Sequence, residues 1–220
     1  MSKVLTDVWE RAVRRPWLLV PPLLGMLVQN VVFLVASGSV AVQMALTSAL
    51  TSAVAAVFAE LWLGDGWSAD PARLLDAWRL YFIPYALLLV FGAVTAPVAY
   101  WSLHADLPRG IAMSVLFGVI ALGKLSAFAL GAGSSLALVR RPETERTLDA
   151  LRLGFSTLYK NAAFFAPALL GAWLFEEACV YLARTLAPGL LGAYLTTAIP
   201  LLGCVAIPLE AWRAGRLSKA

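Results

Sequence analysis

Three ionisable residues stand inside apolar runs: Lys124 within 110–139, and the adjacent Glu176 and Glu177 within 162–184. An ammonium group in a membrane-crossing helix costs about 2.5–3.5 kcal/mol at the helix centre on insertion scales, so it calls for water or a counter-ion. Lys124 precedes Arg140 by 16 residues, and Glu176 follows Lys160 by 16. At a rise of 1.5 Å per residue both lie about 24 Å from the basic boundary of their segments. Equal depth on consecutive segments makes an ion pair from Lys124 to Glu176 or Glu177 feasible. Two carboxylates about 100° apart around one helix would meet different surroundings and differ in protonation, which suits proton coupling.

The same count from Arg15, Arg79 and Arg213 arrives near Asn30, Thr95 and Thr197. A polar layer at that depth would line a solute or proton pathway. Two plainer roles compete with it. The ion pair would lock two helices together while the threonines bond their own helix, or Lys124 would extend its chain toward the nearer interface. Pro21, Pro22, Pro84, Pro97, Pro167, Pro200 and Pro208 fall in or near the runs and read as kinks. Only Pro97 sits beside the polar set.

Other chemistries lack their residues. His104 is the only histidine, which excludes bis-histidine haem ligation and gives zinc no support. Cys179 and Cys204 lie in apolar runs without ligand spacing and read as small core residues. Gly131-Ala132-Gly133-Ser134-Ser135 lacks the lysine of a phosphate loop. Lys124 as a retinal Schiff base has no matching carboxylate pattern. Glu60, Asp65, Asp70 and Asp76 are the one acidic set that could serve a membrane-embedded enzyme, and they read as solvated loop residues. No catalytic residue, metal or cofactor is expected, and an enzyme is the less favoured reading.

The elements that must position these residues follow from composition. Of 220 residues, 61% are hydrophobic and 14% charged, against about a quarter charged in soluble domains. That excess excludes a disordered chain, a disulfide scaffold and a water-soluble enzyme, and makes lipid the main solvent. A crossing helix needs about 20 apolar residues, and six runs qualify: 16–37, 39–62, 81–103, 110–139, 162–184 and 188–210. The first is too long for the apolar part of a signal peptide, about 7–15 residues, and reads as an uncleaved span.

Lysine and arginine set the orientation. With the N-terminus in the cytoplasm, 14 basic residues fall inside and two, Arg109 and Arg184, outside, with Lys124 within a span. Both termini are therefore expected in the cytoplasm, in a multi-pass protein of the plasma (inner) membrane. The tryptophans Trp9, Trp17, Trp62, Trp67, Trp78 and Trp212 mark the inner boundary, and Tyr100 and Trp101 the outer. Basic residues flank the apolar runs and nowhere form a free stretch, so nucleic acid is not a partner.

The outer connections, near 37–40, 104–109 and 186–190, are short, so the spans form three hairpins. A helix-spaced amphipathic stretch precedes each: Val4, Leu5, Val8 and Trp9, then Leu74, Leu75 and Trp78, then Leu148, Leu151 and Phe155. Helix starts are signalled by Ser2, by Asp70 before Pro71, and by Pro142 with Glu143 and Glu145. The strings Asp7-Val8-Trp9, Asp76-Ala77-Trp78-Arg79 and Asp149-Ala150-Leu151-Arg152 recur at about 70 residues. The expected fold is an all-α integral membrane protein with six transmembrane helices in a pseudo-threefold repeat. It forms a single domain over 1–220, with units near 1–66, 67–139 and 140–220, and each amphipathic helix lies at the cytoplasmic interface. Small residues at four-residue spacing, Ala45, Ala49 and Ala53, then Gly123, Ala127, Gly131 and Ser135, predict packing seams that put spans two and four at the centre.

Arg14-Arg15-Pro16-Trp17 and Asn161, where amphipathic helices enter spans, together with the hairpin pattern, give the chain a likeness to known proteins. It resembles a group of poorly characterised prokaryotic six-span membrane proteins, including the membrane domain that accompanies some glycerophosphodiester phosphodiesterases. That resemblance implies no catalytic residues here, because the hydrolytic domain is missing. Mitochondrial carriers share the three two-span units, but their Pro-x-Asp/Glu-x-x-Lys/Arg signature is absent. The expected function is a small transporter or permease-like module centred on Lys124, Glu176 and Glu177. The alternative is a non-catalytic scaffold or assembly partner held by the same ion pair. The expected partners are the lipid bilayer, a small solute or ion, and a second copy or another membrane protein.

Overall fold

The computed structural model describes residues 2–35, 40–64, 70–105, 108–144, 146–186 and 189–217. The turns expected at 37–39 and Asp65-Gly66, as well as Trp67, Asp106 and Glu145, lie outside the described residues. Those residues are helical with no strand among them, as required of chain that must satisfy its backbone hydrogen bonds within each segment.

Local breakers decide where helices end. α1 (Ser2–Arg14) stops because Pro16 pushes Arg15 out of the helical region, to φ −128° and ψ 75°. A 3₁₀ turn (Pro16–Leu19) then leads into α2 (Val20–Val35), followed by α3 (Val40–Leu63). The Asp70 carboxylate accepts from the Ala72 N–H at 3.0 Å and caps the next helix at Pro71. Pro84 and Pro97 follow, but neither ends the helix. α4 therefore runs from Pro71 to His104 through Pro84 and Pro97, 34 residues or about 51 Å. The second amphipathic stretch is thus not a separate helix but the start of α4. α5 (Arg109–Arg140) is nearly as long, and both exceed the roughly 30 Å of bilayer hydrocarbon. Pro142 and Glu143 form a 3₁₀ turn with Arg141, so α6 starts later, spanning Thr147–Lys160. Asn161 separates it from α7 (Ala162–Leu186). The last run divides into α8 (Leu190–Leu201), a π-helical segment (Leu202–Ala206) and α9 (Ile207–Arg213).

Five helices are long and apolar enough to cross a membrane, consistent with a multi-pass membrane protein: Ala45–Leu63, Pro71–His104, Arg109–Glu143, Ala162–Leu182 and Leu190–Arg213. Pro16–Val32 is apolar but shorter. The helices close a ring, in which α2 packs on α3, α3 on α4, α4 on α5, α5 on α7, α7 on α8, and α8 on α2.

Packing is uneven along the ring. The end that carries the chain termini holds the core, with Phe58, Trp62, Leu80, Tyr81, Leu136, Phe165 and Leu209 almost fully buried. The opposite half turns Leu34, Val94, Trp101, Phe117, Tyr181 and Leu190 outward. Every residue from Gly203 to Ala211 is buried. The final helix is therefore packed on all sides at this end, as is the end of α5, where Gly131 to Leu138 are all buried. The seam on α3 is displaced: Ala45 is exposed and Ala49 and Ala53 half-buried, whereas Ser52, Ala55, Ala56 and Ala59 are buried.

Charged side chains bind the termini together. The Glu210 carboxylate lies 2.6 Å from Arg11 Nε, accepts from Trp62 Nε1 at 2.9 Å, and pairs with Arg213 at 3.3 Å. Three successive carbonyls at the end of α3 accept from arginines of other elements: Trp62 from Arg11 (3.5 Å), Leu63 from Arg213 (2.6 Å) and Gly64 from Arg15 (2.5 Å). Cations at unpaired helix-terminal carbonyls also oppose the negative end of the helix dipole. Arg73 pairs with Glu60 at 3.1 Å, and Arg141 approaches Asp76 at 3.8 Å.

The three related strings meet different surroundings. Trp9 is exposed, the Trp78 indole donates to Ser52 Oγ (3.0 Å) and the Ala49 carbonyl (3.3 Å), and Leu151 is buried. α6 packs on the end of α5 through glycine: a Cβ on Gly154 would lie 2.5 Å from Gly133 O and Ala137 N. Backbone atoms cannot step aside. Gly154→Leu is therefore expected to lower stability in detergent by about 1–3 kcal/mol or more, seen as a reduced melting temperature. Gly171→Leu, with nothing within 4 Å of the added Cβ, should melt with the parent.

Candidate functional site

Lys124 rises from α5 and Glu176 and Glu177 from α7, two helices that touch. The ammonium group sits 3.3 Å from Glu176 Oε1 and 2.5 Å from Glu177 Oε1. Consecutive residues diverge around a helix, so both carboxylates reach one ammonium only because the long lysine side chain enters between them. Their surroundings differ sharply: the Glu176 side chain is 5% exposed, Glu177 42% and Lys124 35%. Trp173, one turn before Glu177, donates its indole N–H to the same Glu177 oxygen at 3.2 Å.

This cluster borders a cavity of ≈ 200 Å³ that touches both Lys124 and Glu176. Its walls come from α2, α3, α4, α5, α7 and α8, the complete ring. Gln29, Thr47, Thr51, Thr196 and Thr197 add polar atoms to an otherwise apolar lining. Gln29, Thr51 and Thr196 are exposed, whereas Tyr85, Phe128, Leu201 and Cys204 are buried, so the space is open on the threonine side and closed at the other. Gly25 also lines it, and a Cβ there would meet Thr197 Cγ2 at 3.0 Å.

The closed side rests on the π-helical segment. Pro208 has no N–H to offer the Cys204 carbonyl one α-helical turn earlier. Ser135 Oγ lies 2.9 Å from that carbonyl, 2.8 Å from its own Gly131 carbonyl and 2.8 Å from the Tyr81 hydroxyl. With the Tyr81 hydroxyl donating to Ser135, the single serine hydrogen is available to the carbonyls. Gly131 makes the approach possible, since a Cβ there would stand 2.7 Å from Cys204 Sγ. Gly123 faces the Phe91 ring, and Ala127 lines the cavity.

The structure therefore brings Lys124, Glu176, Glu177 and Thr197 to one place. Asn30 and Thr95 are not among the cavity-lining residues: Asn30 donates to its own helix at Met26 (2.9 Å) and Thr95 to Phe91 (2.8 Å). Counting residues from a boundary gives depth without the face of the helix. Gln29, Thr47, Thr51, Tyr85 and Thr196 were missed for that reason. The spacing of Thr47 and Thr51, one helical turn apart, was the available signal.

Among the described residues no three His, Cys, Asp or Glu side chains gather as metal ligands. Comparison with protein families, curated proteins and solved structures returns no match. Removing the cation tests the cluster. Lys124→Met would strand the buried Glu176, and a loss on the order of 2 kcal/mol is expected, below the 3–5 of fully buried pairs because Lys124 is partly exposed. Glu177→Gln should cost less, since that side chain is only half-buried and Lys124 keeps Glu176 as its partner. Thermal melts of both variants in one detergent make the comparison.

Proposed function

We propose that the chain is a small-solute or ion transporter, or the permease-like module of one, with the ring cavity as its binding site. The observation that supports this is the contact between that cavity and an intramembrane ammonium–carboxylate cluster. Polar groups are costly in lipid and are retained there mainly at substrate, ion and proton pathways. Two carboxylates share one ammonium, leaving a single negative charge when all three are ionised. Lys124 and Glu176 are the only charged residues among those lining the cavity. A proton or a small cationic solute would balance the excess.

The reading takes Pro16–Val35 as a sixth crossing. Arg11 and Glu210 touch, so α1 and α9 lie at one end, and an even number of passages is needed to return there. The sequence bias of 14 basic residues on the inner side against two on the outer favours placing that end in the cytoplasm, in the inner membrane of a prokaryote. The three-unit repeat remains part of this reading on the recurring strings alone.

A scaffold in which the pair locks α5 to α7 is the second reading, favoured by the direct Lys124–Glu177 contact. Water access separates the two. In a background with Cys179→Ser and Cys204→Ala, a cysteine at Lys124, Thr51 or Thr197 is expected to react with a membrane-impermeant thiol reagent applied to one side of the membrane. Thr51→Cys and Thr197→Cys keep the ion pair intact, so a folding defect cannot mimic the answer. Silence at all three positions from both sides would overturn the transporter in favour of the scaffold.

A further inference from the structure

The two carboxylates around Lys124 are not equivalent. Lys124 Nζ stands nearer to Glu177 (2.5 Å) than to Glu176 (3.3 Å), and the Trp173 indole donates to the same Glu177 oxygen. Neither Glu177 nor Trp173 belongs to the cavity lining, so the ammonium is held mainly from outside that space. Glu176 is placed the other way round. Its side chain is 5% exposed and borders the cavity, yet its hydrogen bond from Lys124 reaches Oε1 alone. Among the described residues no hydrogen bond reaches Glu176 Oε2. A buried carboxylate oxygen without a donor is costly, and the cavity is where a donor can approach.

The facing walls limit what that donor can be. Gln29, Thr47 and Thr51 line the cavity with side chains that no hydrogen bond engages among the described residues, and Val54, Phe128 and Leu201 add apolar surface. A volume of ≈ 200 Å³ falls short of the roughly 300–1,000 Å³ of drug-sized sites, so the occupant is small. A bare hard cation needs a shell of oxygen ligands, whereas here a single carboxylate borders the space beside an ammonium group. A quaternary cation would use an aromatic cage, and the aromatic lining is limited to Tyr85 and Phe128. An N–H-bearing ammonium on a short apolar body meets every wall: it donates to Glu176, balances the surplus negative charge and covers the apolar side chains.

We propose that the cavity binds a small primary or secondary organic ammonium ion, whose N–H groups donate to Glu176 while Glu177 and Trp173 hold Lys124 aside. This rests on the reading of the cavity as a solute site and adds the class of ligand. Lys124 and the ligand compete for one carboxylate, so the neighbouring charges act in opposite directions. Removing Lys124 leaves Glu176 to the ligand. Neutralising Glu177 frees Lys124 to turn to Glu176 and exclude it.

Benzylammonium is the probe, with benzyl alcohol and benzoate as controls of similar size, added to the full chain purified in mild detergent. Benzylammonium is expected to raise the melting temperature saturably, and neither control should. Glu176→Gln should abolish the rise, Glu177→Gln should weaken apparent affinity about tenfold, and Lys124→Met should strengthen it about tenfold. A purely structural ion pair would not give those opposite signs. Thr51→Phe fills the cavity from an exposed position and leaves all three charges in place, so it should abolish the effect even where a charge variant fails to fold. In the Thr51→Cys chain, benzylammonium should also slow reaction with the impermeant thiol reagent. If that cysteine reacts while benzylammonium neither protects it nor raises the melt, the ligand class is overturned and the transporter reading stands. An equal rise with benzyl alcohol would overturn the class as well, and silence of every cavity cysteine would overturn both.

Discussion

One carboxylate ties the chain to itself. Glu210 is nearly inaccessible, yet it meets arginines from the first and last helices and the indole of Trp62 on α3. A buried carboxylate without partners is expensive, so the groups around it are held to a narrow geometry. Because those groups come from α1, α3 and α9, satisfying one charge also fixes where the chain begins and ends. The arginines that neutralise it, Arg11 and Arg213, also reach the carbonyls of Trp62 and Leu63. Charge pairing and helix capping are thus met by the same side chains.

That anchored end accounts for the shape of the rest. Helix association in lipid depends on close packing and polar contacts instead of expelled water. At the anchored end Gly131, Gly133, Gly154 and Gly203 let helices touch, and Tyr81, Ser135 and the Cys204 carbonyl form a connected polar set. Toward the other end the side chains turn outward and the ring opens. The cavity lies at the transition between these regimes, with a tightly packed base and threonine-bearing upper walls. Lys124 and its carboxylates sit there because full burial would leave three charges dry, and full exposure to lipid would be worse.

Much of this was legible in the residue order. Apolar run length identified the long helices, and equal spacing from Arg140 and Lys160 brought Lys124 to Glu176. Pro16 and Asn161 end helices, whereas α4 continues through Pro84, so its amphipathic start merges with the run that follows. Depth counting failed for Asn30 and Thr95 because it carries no angular information. Glu210 escaped notice because its partners Arg11 and Trp62 are about 200 and 150 residues away in sequence, so no local pattern announces them. The burial of the last helix from Gly203 to Ala211 was hidden likewise, since uniform apolarity does not say which stretch is enclosed by other helices.

The π-helical segment carries a geometric consequence for the whole assembly. A π-bulge amounts to one surplus residue in a helix, and one residue is about 100° of azimuth. Everything beyond Ala206 is therefore rephased relative to α8. Without that offset the face of α8 that looks into the cavity and the face of α9 that presents Glu210 would be out of register. Shortening the stretch 202–206 by a single residue would swing Glu210 roughly a quarter turn away from Arg11 and Trp62, so the irregularity is what lets one continuous rod serve two different azimuths.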